Sequence, residues 1–290
     1  MRDFRIFTDS TTDLPAEFYE KYDIPYISLR YTIDGETFDD NHTVSAADFY
    51  NKMRNGSTPT TTQPSPEIAE EFIRNEIAKK DTDILFIAFS SGLSGTYNSV
   101  SLAANNIMEE DPSRKIIVID SLAASTGEGL IVYKALQYKN AGHTLEETAK
   151  YVEDIKLHAV HVFTVDDLNS LHRGGRVSKG TAIVGTLANI KPLLHTDDEG
   201  HLTSVGMTRG RKKSLIWLVD SMEKQMGSYR DQNDTVFICN GDCIDDANFV
   251  KEQVMTRFGI ENVVIADTGP VIGAHSGPGT LALFFMGDYR

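Results

Sequence analysis

Short apolar runs alternate with amphipathic stretches along the chain. Phe4-Arg5-Ile6-Phe7 has the length of a strand and leads through the polar turn Thr8-Asp9-Ser10-Thr11-Thr12 to Glu17-Phe18-Tyr19 and Tyr22. That spacing predicts a helix with Pro15 in its first turn, and Ser10 and Asp13 stand at the spacing of a capping box with Asp replacing Glu. The same order of strand, polar turn and helix recurs at Asp83–Phe89, Ser90–Thr96 and Val100-Leu102-Ile107. It recurs again at Lys115–Ile119, Asp120-Ser121 and a helix near Gly129–Tyr138. Such alternation predicts an α/β fold on a largely parallel sheet, whose ligand crevice lies beyond the carboxyl ends of the strands. All three polar turns should gather there.

Two segments instead predict hairpins: Ile27 to Phe38, turning at Asp34-Gly35, and Leu193 to Met207, turning near Glu199-Gly200. A second set of elements starts at Val160–Val165 and includes strands at Thr235–Ile238 and Asn262–Ala266, while Pro278 is placed to start a helix over Leu281–Phe285. The expected organisation is two α/β domains: residues 1–157 with a mostly parallel sheet, and 158–290 with a mixed sheet and helices. No Pro/Gly/Ser linker separates them and no short repeat appears, so the domains should be closely joined.

Composition narrows the partners. The 290 residues are 40% hydrophobic, and 42 acidic against 28 basic side chains give a net charge of -14. This is a poor footprint for nucleic acid or an anionic membrane, so a small ligand or a protein is expected. The N-terminal residues lack an apolar signal region and no run approaches a membrane span, which points to a cytoplasmic protein without stable membrane insertion. Cys239 and Cys243, the only cysteines, are read as free thiols.

Hydroxyl-rich turns are the unusual chemistry: Thr8–Thr12, Thr58–Ser65 and Ser90–Thr96. Hydroxyls with free backbone N–H groups can bind a carboxylate or phosphate, although each can also merely cap a helix. Capping suits Ser10 and Ser65. Ser94 favours a ligand, because its turn holds four hydroxyls, Ser90, Ser91, Ser94 and Thr96, around two glycines. The glycine-rich segment Gly269–Thr280 lets backbone approach a ligand closely and offers His275 as an anion donor. Basic clusters at Leu171–Arg176 and Thr208–Lys213 are either solvated faces or recognise an anion or acidic partner. Nucleotide-binding glycine loops, a nucleophile elbow and metal-ligand spacings are absent, so neither a nucleotide cofactor nor a metal is expected.

Taken together, Thr8–Pro15, Thr61-Thr62-Gln63-Pro64-Ser65, Ser90–Thr96, Leu171–Arg176 and Gly273–Gly279 resemble the DegV family, in family order and across nearly the whole chain. The resemblance implies a two-domain α/β protein holding one fatty acid, such as palmitate, stearate or oleate, between its domains. It also implies a carrier that presents the acyl carboxylate to a separate ATP-dependent fatty acid kinase subunit, and no catalysis of its own. Carried over by motif, the carboxylate contacts are Thr61 or its neighbour Thr62, Ser94, and His275 with Ser276 beside it. The arginine of a later basic segment resembles Arg211, with Arg209 as the alternative. Arg173 and Arg176 resemble a kinase-docking surface. Two rivals stand beside this carrier. One is a serine hydrolase of acyl esters, with Ser94 or Ser91 as nucleophile, His275 as base and Asp9 or Asp120 orienting it. The other is a lipid sensor.

Overall fold

The computed structural model describes residues 2–40, 44–166, 168–177 and 189–290. Strands β1 (Phe4–Asp9) and β6 (Asp83–Ala88) are buried along their whole length, as unbroken apolar runs in a parallel sheet must be. They form the centre of a four-stranded parallel sheet, with β2 (Tyr26–Ile27) beside β1 and β7 (Ile116–Asp120) beside β6. A small antiparallel sheet joins β4 (Glu36–Asp39), β3 (Arg30–Ile33) and β5 (Thr60–Thr62) in that order. Its hairpin turns at Asp34-Gly35, both at positive φ, which matches the twist of a two-residue connection.

The second large sheet has six strands and is mixed. Its order is β10 (Leu202–Arg209), β9 (Ile190–Thr196), β8 (Ala159–Thr164), β13 (Leu281–Met286), β11 (Thr235–Asn240) and β12 (Asn262–Asp267). The two-domain α/β class read from the sequence is the class observed, and both expected hairpins form. The expected helix over Leu281–Phe285 does not. That segment is β13, paired with both β8 and β11, and an all-apolar run of this length fits a buried central strand better than a helix. The helix lies earlier.

In chain order the helices are α1 (Ala16–Tyr22), α2 (Ala46–Arg54), α3 (Pro66–Lys79), α4 (Thr96–Glu110), α5 (Thr126–Asn140) and α6 (Leu145–Ile155). They continue with α7 (Asn169–Arg173), α8 (Arg211–Gln225), α9 (Ile244–Phe258) and α10 (Pro270–Ser276). α3 and α4 cover one face of the parallel sheet around Phe7, Phe86 and Ile107, and α8 and α9 cover the outer face of the mixed sheet around Leu218 and Val250. α5 is buried on almost every side, its Leu130, Ile131, Val132 and Ala135 all inaccessible. It packs against strands of both sheets, so one apolar core runs through it from Leu85 to Phe284.

Where the sheets meet, four carboxyl groups are buried: Asp9, Asp13, Asp40 and Glu128. Ser10 and Asp13 do not form the expected capping box. Residues 10–12 are a short 3-10 turn capped by Asp9, and the Ser10 hydroxyl instead accepts from Leu29 N–H and bonds Asp40. Asp13 accepts from Gly269 N–H at 3.0 Å and from the Ser125 hydroxyl, while Val271 N–H lies beside Asp40 and lowers its pKa. Two carboxyls of the first half thus hold the first turn of α10. Burial raises the pKa of all four. Glu128 accepts from the Thr8 and Thr11 hydroxyls, each at 3.1 Å, and these hydroxyls are also directed at Ile87 C=O and at Asp9.

Burial pushes Asp40 up to about 7 from its ordinary 3.8, so the folded chain holds a proton there that the unfolded chain has released. Stability from this group therefore falls as pH rises from about 4 to about 7. Asp40→Asn keeps an acceptor and removes the titration, and urea midpoints measured at pH 5 and pH 8 should drop less in the variant than in the wild type.

Candidate functional site

Three elements converge at the carboxyl end of the parallel sheet. β5 pairs with β3 so that Thr61 lies opposite Tyr31, and the Thr61 hydroxyl meets His275 Nε2 of α10 at 2.8 Å. The turn between β6 and α4 brings Ser94, whose hydroxyl lies 2.9 Å from that of Thr96. Gln63 links the two segments: its Oε1 accepts from Gly95 N–H at 2.8 Å, and its Nε2 donates to the Ser99 hydroxyl at 3.3 Å. A Cβ on Gly95 would lie 2.5 Å from the Gln63 amide, so a side chain there would displace the glutamine from this bond. Ser65 caps α3 as expected, accepting from Ile68 N–H.

These groups border a cavity of about 280 Å³ with Thr61, Thr62, Gln63, Ser94, Arg176 and His275 on its polar side. Leu29, Phe89, Leu93, Leu171 and Val271 supply apolar walls. An inner chamber of about 60 Å³ adjoins it, sharing Ala124, Leu202, Ile272 and Ser276 and reaching Phe163, Ala282 and Phe284 on the mixed sheet. A polar mouth therefore leads to an apolar interior, a shape suited to an anionic head with a hydrocarbon tail.

The electrostatics favour a hydrogen-bonding site with cations close by. Burial and then the charges of Arg176 and Arg173 hold His275 down to about 4, so its ring is neutral at ordinary pH. Arg176 is partly buried and its Nε donates to Leu93 C=O at 3.2 Å, with Nη1 directed at Gly174 C=O. Gly174 has a role of its own, since a Cβ there would overlap His275 Nδ1. The segment 172–176 thus backs the histidine.

Of the residues singled out in the sequence, Thr61, Thr62, Ser94, His275 and Ser276 come together at this cavity. Arg211 does not. It starts α8 and its guanidinium is engaged by Asp246 at 2.7 Å and by Cys243. Arg176, expected on a docking surface, lines the cavity because its guanidinium satisfies two loop carbonyls, while Arg173 is exposed and donates to the Ser170 hydroxyl at 3.2 Å. Nor is a hydrolase triad assembled. Asp9 accepts from Thr11 and Phe89, Asp120 accepts from Ser91 and Leu122 N–H groups, and among the described residues no carboxylate is bonded to His275. Gln63, Gly174 and the sheet residues of the inner chamber carried no sequence signal as site residues.

Among the described residues no helix is long and apolar enough to cross a membrane, and no group of His, Cys, Asp and Glu could hold a metal ion. Cys239 and Cys243 are free. The model of the DegV family, described as uncharacterised proteins, matches residues 3–288. A DegV domain-containing protein of Clostridium perfringens is 41% identical over 293 residues, spanning 100% of this chain and 99% of that one. Among solved structures, a DegV family protein from Thermus thermophilus described by its fatty acid binding has a TM-score of 0.87 at 29% identity, over 99% of this chain and 100% of that chain. A DegV lipid-binding protein from Thermotoga maritima has a TM-score of 0.86 at 28% identity, over 99% of both chains.

The fit of Gly174 against His275 is testable. In Gly174→Ala the ring must move out of its buried position, and its pKa, followed by NMR titration, should climb from about 4 toward the ordinary 6.5. A histidine that still titrates near 4 in the variant would show that the contact does not place the ring.

Proposed function

The chain belongs to the DegV family, and on that footing we propose that it binds one long-chain fatty acid and presents its carboxylate to a separate ATP-dependent fatty acid kinase. The protein itself catalyses no phosphorylation. The observation that carries this reading is the cavity, whose hydroxyl, amide and imidazole groups stand at one end and whose apolar chambers extend from the other. Thr61, Ser94 and His275 are the carboxylate contacts, with Thr62 beside them. The domains are taken as residues 1–157 and 158–290, with the acyl chain between them. The reading also places the protein in the cytoplasm, where the kinase has ATP.

The energetics are consistent with this assignment. Removing about fourteen methylenes of a 16-carbon acid from water gains roughly 11 kcal/mol before ordering costs, at about 0.8 kcal/mol each. That offsets the several kcal/mol lost on burying a carboxylate only if its oxygens find donors. Hydroxyl groups and a neutral imidazole meet that need while leaving the carboxylate nucleophilic toward an incoming phosphoryl group. The exposed Arg173 stands outside the cavity and suits a docking contact with an acidic partner. Arg211, held by Asp246, takes no part.

Denaturing extraction followed by mass spectrometry of the purified protein should release one equivalent of fatty acid. Ser94→Ala and His275→Ala should each weaken binding of a fluorescent fatty acid by about tenfold to a hundredfold, the loss of about 1.5–3 kcal/mol for a hydrogen bond to a charged group. Unchanged affinity in both variants would remove these residues from the site.

Docking is tested separately. Arg173→Glu should purify with normal bound lipid yet support little acyl-phosphate formation with the cognate kinase and ATP, and raised salt should reproduce the defect in the wild type. Loss of lipid from the variant would place Arg173 in the binding site instead.

A further inference from the structure

On the inner face of the mixed sheet, cross-strand register sorts side chains by size. Ala282 of β13 lies opposite Phe163 of β8 and Cys239 of β11. Two residues along β13, on the same face, Phe284 lies opposite His161 and Phe237. The first row has two small side chains beside one ring. The second is three rings wide. Phe163, Ala282 and Cys239 line the inner chamber together with His161 and Phe284, so the small pair forms a recess and the next row closes it.

That closing row cannot easily retreat. The rings of His161 and Phe284 meet edge to face at 5.1 Å and 88°. His161 Nδ1 donates to Ala159 C=O at 2.8 Å, and Nε2 accepts from Ala124 N–H at 3.4 Å. Burial keeps this imidazole neutral. Behind the row stands α5, where a Cβ on Gly127 would overlap both His161 Nε2 and the Phe284 ring. The backbone of α5 is thus pressed directly on the two rings.

We propose that His161 and Phe284 are the stop against which the methyl end of the acyl chain rests, and that Ala282 sets the greatest chain length the protein accepts. The inference rests on the fatty-acid reading and adds a length limit to it. Each methylene buried before the stop contributes about fourfold in affinity, and methylenes beyond it contribute nothing. A leucine at 282 would fill the recess with about three more carbons and displace a similar number from the ligand.

The test is a binding series of saturated acids from decanoic to eicosanoic acid, measured on the wild type, Ala282→Leu and the smaller step Ala282→Val. Wild-type affinity should rise by about fourfold per methylene and then break. The break should move down by about two to three carbons in Ala282→Leu and by about one to two in Ala282→Val, with decanoic acid bound as by the wild type. Unchanged length dependence in both variants overturns the proposal, as does an equal loss at every length. No saturable binding of any acid by the wild type would remove the fatty-acid reading itself, and the length limit with it.

Discussion

The grip of two buried carboxyls on the first turn of α10 is the constraint from which the site follows. Both belong to the first half of the chain: Asp13 takes the N–H of Gly269, and Asp40 lies beside Val271 N–H, which lowers its pKa. α10 then carries His275 to Thr61 and lays Val271, Ile272 and Ser276 along the cavity wall. Gly269 must be glycine for this, since a Cβ would lie 2.7 Å from one Asp13 oxygen and 3.2 Å from one of Asp40. Among the described residues no lysine or arginine holds any of the four carboxyls ionised. The joint between the halves is therefore built from carboxyls whose pKa burial raises, together with hydroxyls and backbone groups that bond them directionally.

α5 supplies the other half of the frame. A helix with apolar residues on every side has to be buried on every side, and here it fills the space between the parallel and mixed sheets. Its N-terminal end is drawn tight by two features. Ser125 adopts φ 55 and ψ −150 while bonding Asp13, an unusual conformation for a residue with a side chain. Gly127 then lets the helix backbone lie against the sheet. The same segment that joins the sheets thereby shapes the inner chamber.

Much of this was legible in the sequence because strand, turn and helix repeat with their own periods. β1, β6 and β7 were marked by apolar runs, the hairpin at Asp34-Gly35 by its turn residues, and Thr61, Ser94 and His275 by hydroxyl-rich or glycine-rich turns. What was not legible depended on three-dimensional context. Leu281–Phe285 after Pro278 suits a helix start locally, yet its place between β8 and β11 makes it a strand. Arg176 and Arg173 have the same chemistry in sequence, and only the carbonyls of Leu93 and Gly174 turn one inward. Ser10 was a plausible cap until Asp40 and Leu29 offered it stronger long-range partners. The recess at Ala282 depends on register between strands far apart in sequence, which no local pattern records.

The hairpin between β9 and β10 closes over the other side of the site. Ser90 donates to Gly200 C=O at 2.9 Å, and Gly92 fits against the Glu199 and Gly200 carbonyls, where a Cβ would lie 2.8–2.9 Å away. Leu202, just beyond that tip, borders both chambers. On the fatty-acid reading, the far end of the guest would lie beneath this clasp. Withdrawing such a guest lengthwise through the polar mouth would return hydrocarbon to water at each step, so its residence time would grow geometrically with the length enclosed. The protein would then act as a slow-release reservoir, and a recipient at the mouth could act on the head group while the tail is still held.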